Sequence, residues 1–204
     1  MKRMTEASAM LLLAWVDGMI KKSEFAIDDD ATYALLQRGD TDGIFFLESR
    51  YDKYNLQLLK PSCMAELTAA CAMTHPLTCE KIYLYMRNKA LGETEQFCIP
   101  ELDECLKETN GVFLYKQQVD NAKEILSRLI DEGTDDQAKH AKMVMNSIDG
   151  KQMKWLVNYK YISKRAKLVY QMAYIKAHMP EEFEEFRAKL CAEKNRQNRL
   201  LIQL

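Results

Sequence analysis

Apolar residues in this chain recur at three- and four-residue intervals, a period that predicts helices almost from end to end. Met4, Ala7, Leu11, Ala14 and Trp15 share one face of a first helix over about Thr5 to Ile20. A second, short helix over Asp30 to Arg38 stops at Gly39, which accepts the left-handed conformation of a helix end. Asp40, Thr41 and Asp42 offer capping side chains to a third helix that carries Phe45, Phe46, Leu47, Tyr51 and Tyr54 and closes at Pro61. Ser62 opens a fourth, broken at Thr74 by the approach of Pro76, and Thr78 caps a fifth that ends at Gly92. Pro100 starts a short acidic helix that ends near Asn110-Gly111. Longer helices are predicted over Val112 to Glu132, Asp135 to Ile148 and Gln152 to His178, and Pro180 begins the last. No run alternates with period two over strand length, so no sheet is expected. The expected fold is all-α, a compact array of eight to ten helices in a single domain over 1–204, with a weak seam at 93–99.

The predicted helix from Gln152 to His178 is apolar on two sides. Trp155, Tyr159, Ile162, Ala166, Val169, Tyr170 and Ala173 form one face, with Val157, Tyr161, Leu168 and Ile175 roughly opposite. A helix apolar on two faces packs on both, which places this one at the centre of the fold or of a subunit interface. Its charge is also one-sided: between Gly150 and Pro180 stand seven basic residues and no acidic one. The balancing charge lies in Glu24 to Glu48, with seven acidic residues, and in Glu93 to Glu108, with six. Acidic helices packed beside the basic one would pair with its rims.

Composition narrows the class more than the function. Hydrophobic residues make up 48% and charged residues 29% of 204, ordinary for a chain that buries a sizeable core. The formal net charge of −1 gives the whole molecule no electrostatic pull on nucleic acid or an anionic membrane, so any such affinity is local. No apolar stretch reaches the roughly 20 residues that span a bilayer. The six cysteines, with no signal peptide ahead of them, read as free thiols of a cytoplasmic protein.

Four groups of residues are candidates for chemistry. At the end of the first helix, Gly18 is positioned to turn the chain through a positive φ and Ser23 to cap the next segment. Asp17 and Glu24 then face each other, and with backbone carbonyls they offer oxygen ligands to a divalent cation, the one cofactor suggested. Asp40, Asp42 and Gly43 share part of a calcium-loop pattern, but Arg38 and Ser49 stand at its first and closing ligand positions, which excludes an EF-hand. Cys71, His75 and Cys79 are spaced four apart, a soft-metal spacing on a continuous helix that Pro76 interrupts. Lys154, Lys160, Lys164, Arg165 and Lys167, interleaved with Trp155, Tyr159 and Tyr161, have the composition of a surface for nucleic acid or an acidic protein partner. The basic residues fall on two flanks of the helix, however, and most of the rings lie on its apolar side.

The run from Leu11 to Glu24, an apolar helix followed by Asp-Gly, one residue, Ile, three residues and Glu, resembles the signature of TerB-like domains over about residues 5–25. That resemblance implies a bacterial helical module of tellurite-resistance and stress-response proteins, its acidic residues connected with metal binding. It also implies an interaction module rather than an enzyme. The expectation is therefore a non-enzymatic module that meets a protein partner, or a second copy of itself, through a charge-polarised surface. The alternatives are a nucleic-acid binder using 151–178 and, third, a metal-dependent hydrolase. No Gly-rich phosphate loop, G-x-S-x-G or H-E-x-x-H motif occurs.

Overall fold

A computed structural model of the chain describes residues 6–74, 79–92, 97–148 and 156–202. Ten α-helices run through these residues: α1 (Glu6–Lys22), α2 (Asp30–Gln37), α3 (Arg50–Leu59), α4 (Met64–Ala72), α5 (Cys79–Leu91), α6 (Pro100–Leu106), α7 (Lys116–Glu132), α8 (Asp135–Ile148), α9 (Tyr159–His178) and α10 (Pro180–Ile202). Among the described residues there is no strand. A parallel bridge joins Tyr115 and Val157, with Lys116 N–H donating to the Val157 carbonyl at 2.9 Å and Val157 N–H to the Leu114 carbonyl at 3.2 Å.

Three helices begin later than the periodicity predicts, each for a local reason. The third waits until Arg50, because Gly43 and Phe46 both take positive φ (84° and 75°) and fold residues 40–49 into consecutive turns. Ser49 and Asp52 then cap each other's backbone, a capping box in place of the Asp40–Asp42 cap. Gly43 is required twice over, since a Cβ there would stand 2.8 Å from Arg187 Cδ as well as straining the backbone. α7 starts at Lys116 because the Gln118 side chain accepts the Leu114 and Tyr115 N–H groups and holds 112–115 extended. α9 starts at Tyr159, not Gln152: Val157 is spent on the bridge and Asn158 caps the Tyr161 N–H.

The main apolar core gathers α1 to α5, α9 and α10 around α9. Ala166, Val169, Tyr170, Ala173 and Ile175 of α9 are fully buried, and α9 packs on α4, whose buried residues include Ala69, Ala70 and Ala72. Trp15 of α1 stacks on Phe186 of α10 at 4.1 Å between centroids. A second cluster of Leu102, Leu106, Phe113, Ala122, Leu126 and Ala141, with their neighbours, is built by α6, α7 and α8. The Tyr115–Val157 bridge, Lys81 Nζ on the Phe113 carbonyl (2.9 Å) and Asn88 Nδ2 on the Asn110 carbonyl (2.7 Å) tie the two together. Burial lowers the Lys81 amine to about 8.

The acidic stretch after α1 is strapped to the C-terminal half of α9. Tyr174 Oη donates to the Glu24 carbonyl, Tyr170 Oη donates to the Ala26 carbonyl and accepts the Asp29 N–H, and His178 Nε2 lies 2.9 Å from Asp29 Oδ2. Burial pushes the Asp29 carboxyl upward, but hydrogen bonds from Thr32 and His178 outweigh it and hold the group below its ordinary 3.8. A depressed carboxyl contributes stability above its unfolded value and loses it as pH falls through the folded one. Asp29→Asn is therefore expected to cost about 1 kcal/mol at neutral pH, where urea midpoints of the two proteins differ. The two midpoints should converge as the pH is taken down through the folded carboxyl, which lies below its ordinary 3.8; a gap of the same size at the acid end would show that the charge is not the source.

Candidate nucleic-acid interface

α9 carries five Lys or Arg and no Asp or Glu, and the structure divides them into two sets. Arg165 and Lys176 leave the helix on one flank and are consumed in holding the 40–49 turns. Arg165 donates to the Phe46 carbonyl at 3.0 Å with its guanidinium 4.6 Å from the Phe46 ring centroid. Lys176 reaches the Asp40 carboxylate at 2.6 Å and the Asp40 and Asp42 carbonyls at 3.0 and 3.1 Å. The Lys176–Asp40 pair, with His178 against Asp29, matches the rim pairing anticipated between the acidic 24–48 stretch and the basic helix, whereas Arg165 meets a carbonyl and a ring.

Lys160, Lys164 and Lys167 form the other set. At intervals of four and three residues they make a single stripe along the first half of α9. All three are exposed, and among the described residues none takes part in an ion pair. The start of this helix adds to the imbalance: its first turn holds no acidic residue to answer the positive end of the macrodipole. Three exposed ammonium groups on a helix whose first turn is capped by neutral amide side chains and not by a carboxylate favour an anion, phosphate above all.

The tyrosines there are not in the core. Tyr161 is 70% exposed and Tyr159 44%, because a helix that begins at Tyr159 commits only Ile162 of its first turn to packing. Tyr159 stands edge-on to buried Tyr115 at 4.9 Å and forms one end of an open cleft of about 550 Å³ along α6 and α7, lined also by Glu104, Lys107, Gln117 and Asn121. The Tyr159 N–H donates to the Gln117 side chain at 2.9 Å.

The other candidates come apart. α1 runs unbroken through Gly18 to Lys22, so the turn expected to bring Asp17 opposite Glu24 is not there. Asp17 instead pairs with Lys21 one turn along, at 2.7 Å, on the exposed face. Cys71 is buried and its thiol is pushed up to about 12 by that burial, which makes it inert. His75 and the Cys79 side chain lie outside the described residues, as do Lys154 and Trp155. Among the described residues no three His, Cys, Asp or Glu side chains are grouped to hold a metal ion, and no helix is long and apolar enough to cross a membrane. The five described cysteines are free. The strap of Tyr170, Tyr174 and His178 went unread in the sequence, although its spacing of four and four on one helix face was the available signal.

Residues 11–166 match the family model described as the bacterial DNA polymerase III alpha subunit finger domain. The DNA polymerase III subunit alpha of Aquifex aeolicus is 32% identical over 202 residues, an alignment covering 84% of this chain and 17% of that protein. The subunit alpha of Bacillus subtilis is 32% identical over 118 residues, 54% of this chain and 11% of its own length. That of Staphylococcus aureus is 35% identical over 92 residues, 45% and 9% respectively. The chain thus spans less than a fifth of these relatives. The match runs through the segment that carried the TerB-like resemblance and overturns it. It overturns with it the stress-related interaction module, and it leaves the hydrolase alternative without support. The resemblance failed because it rested on Asp17-Gly18 as a turn, and the glycine is an interior helix residue.

Proposed function

The chain belongs to the bacterial DNA polymerase III alpha subunit finger-domain family, and on that basis we propose that it is a DNA-contacting part of a replicative polymerase, one that binds and positions rather than makes bonds. The observation that carries this reading is the stripe of Lys160, Lys164 and Lys167, three exposed cations with no acidic neighbour on their helix. A lone exposed lysine is ordinarily solvated, but three in one row on a helix without a carboxylate make a cationic track that suits a phosphate backbone. The chain corresponds to 17% of the Aquifex aeolicus protein, which leaves the chemistry of nucleotide addition to the remaining length.

Salt is the test, because each phosphate neutralised by a lysine releases a condensed counterion. Binding of a fluorescent DNA oligonucleotide, followed by anisotropy between about 50 and 200 mM salt, is expected to weaken with a log–log slope of about −2, the value for three contacts on a single strand. Binding indifferent to salt, or absent at the lowest salt, would sink the proposal.

A further inference from the structure

We propose that the first half of α9 is built for unpaired nucleic acid, with a base stacked on the Tyr161 ring while Lys160, Lys164 and Lys167 hold the phosphates on either side of it. This rests on the reading above and says which form of nucleic acid the stripe receives. Tyr161 is the most exposed large aromatic or aliphatic side chain recorded on the described surface, at 70%, and its ring meets no other ring among the described residues. It is three residues from Lys164 and next to Lys160, so it stands on the shoulder of the cationic stripe, one helix row away.

Duplex DNA hides the faces of its bases in the stack and offers a protein ring nothing to lie against unless a base is flipped. A single strand presents those faces freely, and stacking on an aromatic side chain is tolerant of sequence because every base has one. The lysines leave α9 at steps of ~6 Å and ~4.5 Å along its axis, a row of cations and not a point. A row suits a backbone with one charge per nucleotide better than the compact phosphates of a free nucleotide. Tyr159 stiffens the platform from behind, its ring fixed edge-on by buried Tyr115 and its N–H held by Gln117.

The experiment compares Tyr161→Ala and Tyr161→Phe on the full chain, by anisotropy, with a labelled oligothymidylate and with a duplex of equal length. Tyr161→Ala should weaken the single strand by roughly tenfold, the stacking of about one base, and leave the duplex within a factor of two. Tyr161→Phe, which keeps the ring, should bind the single strand as the parent does. Circular dichroism checks that both variants are folded. Equal losses on both probes, or none on the single strand, would overturn the stacking role while leaving the lysine stripe standing. Displacement of the oligonucleotide by an equal concentration of nucleoside triphosphate would overturn it as well, by moving the stripe to nucleotide binding. A parent that binds neither probe would instead fail the function proposed above.

Discussion

Tyr170→Ala is expected to destabilise the chain by about 4 kcal/mol or more, a large share of what a domain of this size has to lose. Tyr170 is fully buried on the inner face of α9, its ring 5.1 Å from Tyr33 and 5.9 Å from Phe25. Truncation removes that packing from a core which cannot collapse to fill the space. It also strands the Ala26 carbonyl and the Asp29 N–H, both of which the hydroxyl satisfies. Tyr170→Phe separates the two effects: the ring stays, the strap loses its bond, and the cost should fall to about 1–2 kcal/mol. Urea unfolding followed by circular dichroism measures both. A loss under about 2 kcal/mol for Tyr170→Ala would mean that α9 is not the axis of the main core.

Reversing Lys160, Lys164 and Lys167 together to Glu should carry the largest functional effect, a fall in DNA affinity on the order of 100-fold at low salt. Each change deletes an attraction and adds a repulsion at the same place. The fold should not suffer, because the three side chains are exposed and pair with nothing among the described residues. Stability should even rise by a few tenths of a kcal/mol, since a glutamate near the start of α9 answers the helix dipole where a lysine opposes it. That opposite movement of binding and melting temperature is what sets the stripe apart from Arg165, whose substitution would release the Phe46 carbonyl and disturb the 40–49 turns first. Retained affinity in the folded triple variant would remove the stripe from the interface.

The all-helical architecture was legible because apolar spacing on helices is a local property. α2 and α8 fall within a residue of their predicted ends, since Asp29 caps one and Gly133 and Thr134 clear the chain before the other. What the sequence concealed was long-range. Nothing near Val112 announces that its segment runs extended beside Val157, more than forty residues on, so periodicity extends both neighbouring helices past their true starts at Lys116 and Tyr159. Phe46 takes a left-handed conformation that it seldom adopts, and the Arg165 guanidinium that holds its ring and carbonyl lies more than a hundred residues away. The basic stripe was half legible. Its residues and two-flank arrangement could be read from periodicity, but which flank was free depended on Asp40 and Phe46 taking the other. The family was not legible from any short motif, and the one that tempted was a helix interior.

The bridge between Tyr115 and Val157 has a consequence for assembly, because it closes a long stretch of chain next to the start of α9. The α6–α8 cluster draws its apolar residues from 97–156, whereas α2 and α4 wait for α9, which arrives about a hundred residues or more after them. Contacts so distant in sequence are slow to find, while closing the intervening loop grows costlier only with the logarithm of its length. If α6–α8 folds first, it replaces a floppy span of some forty residues by two ends already side by side at 115 and 157. The short pair of hydrogen bonds there does for α9 what a hairpin turn does for a strand, delivering its first turn in register to a partner that was made long before.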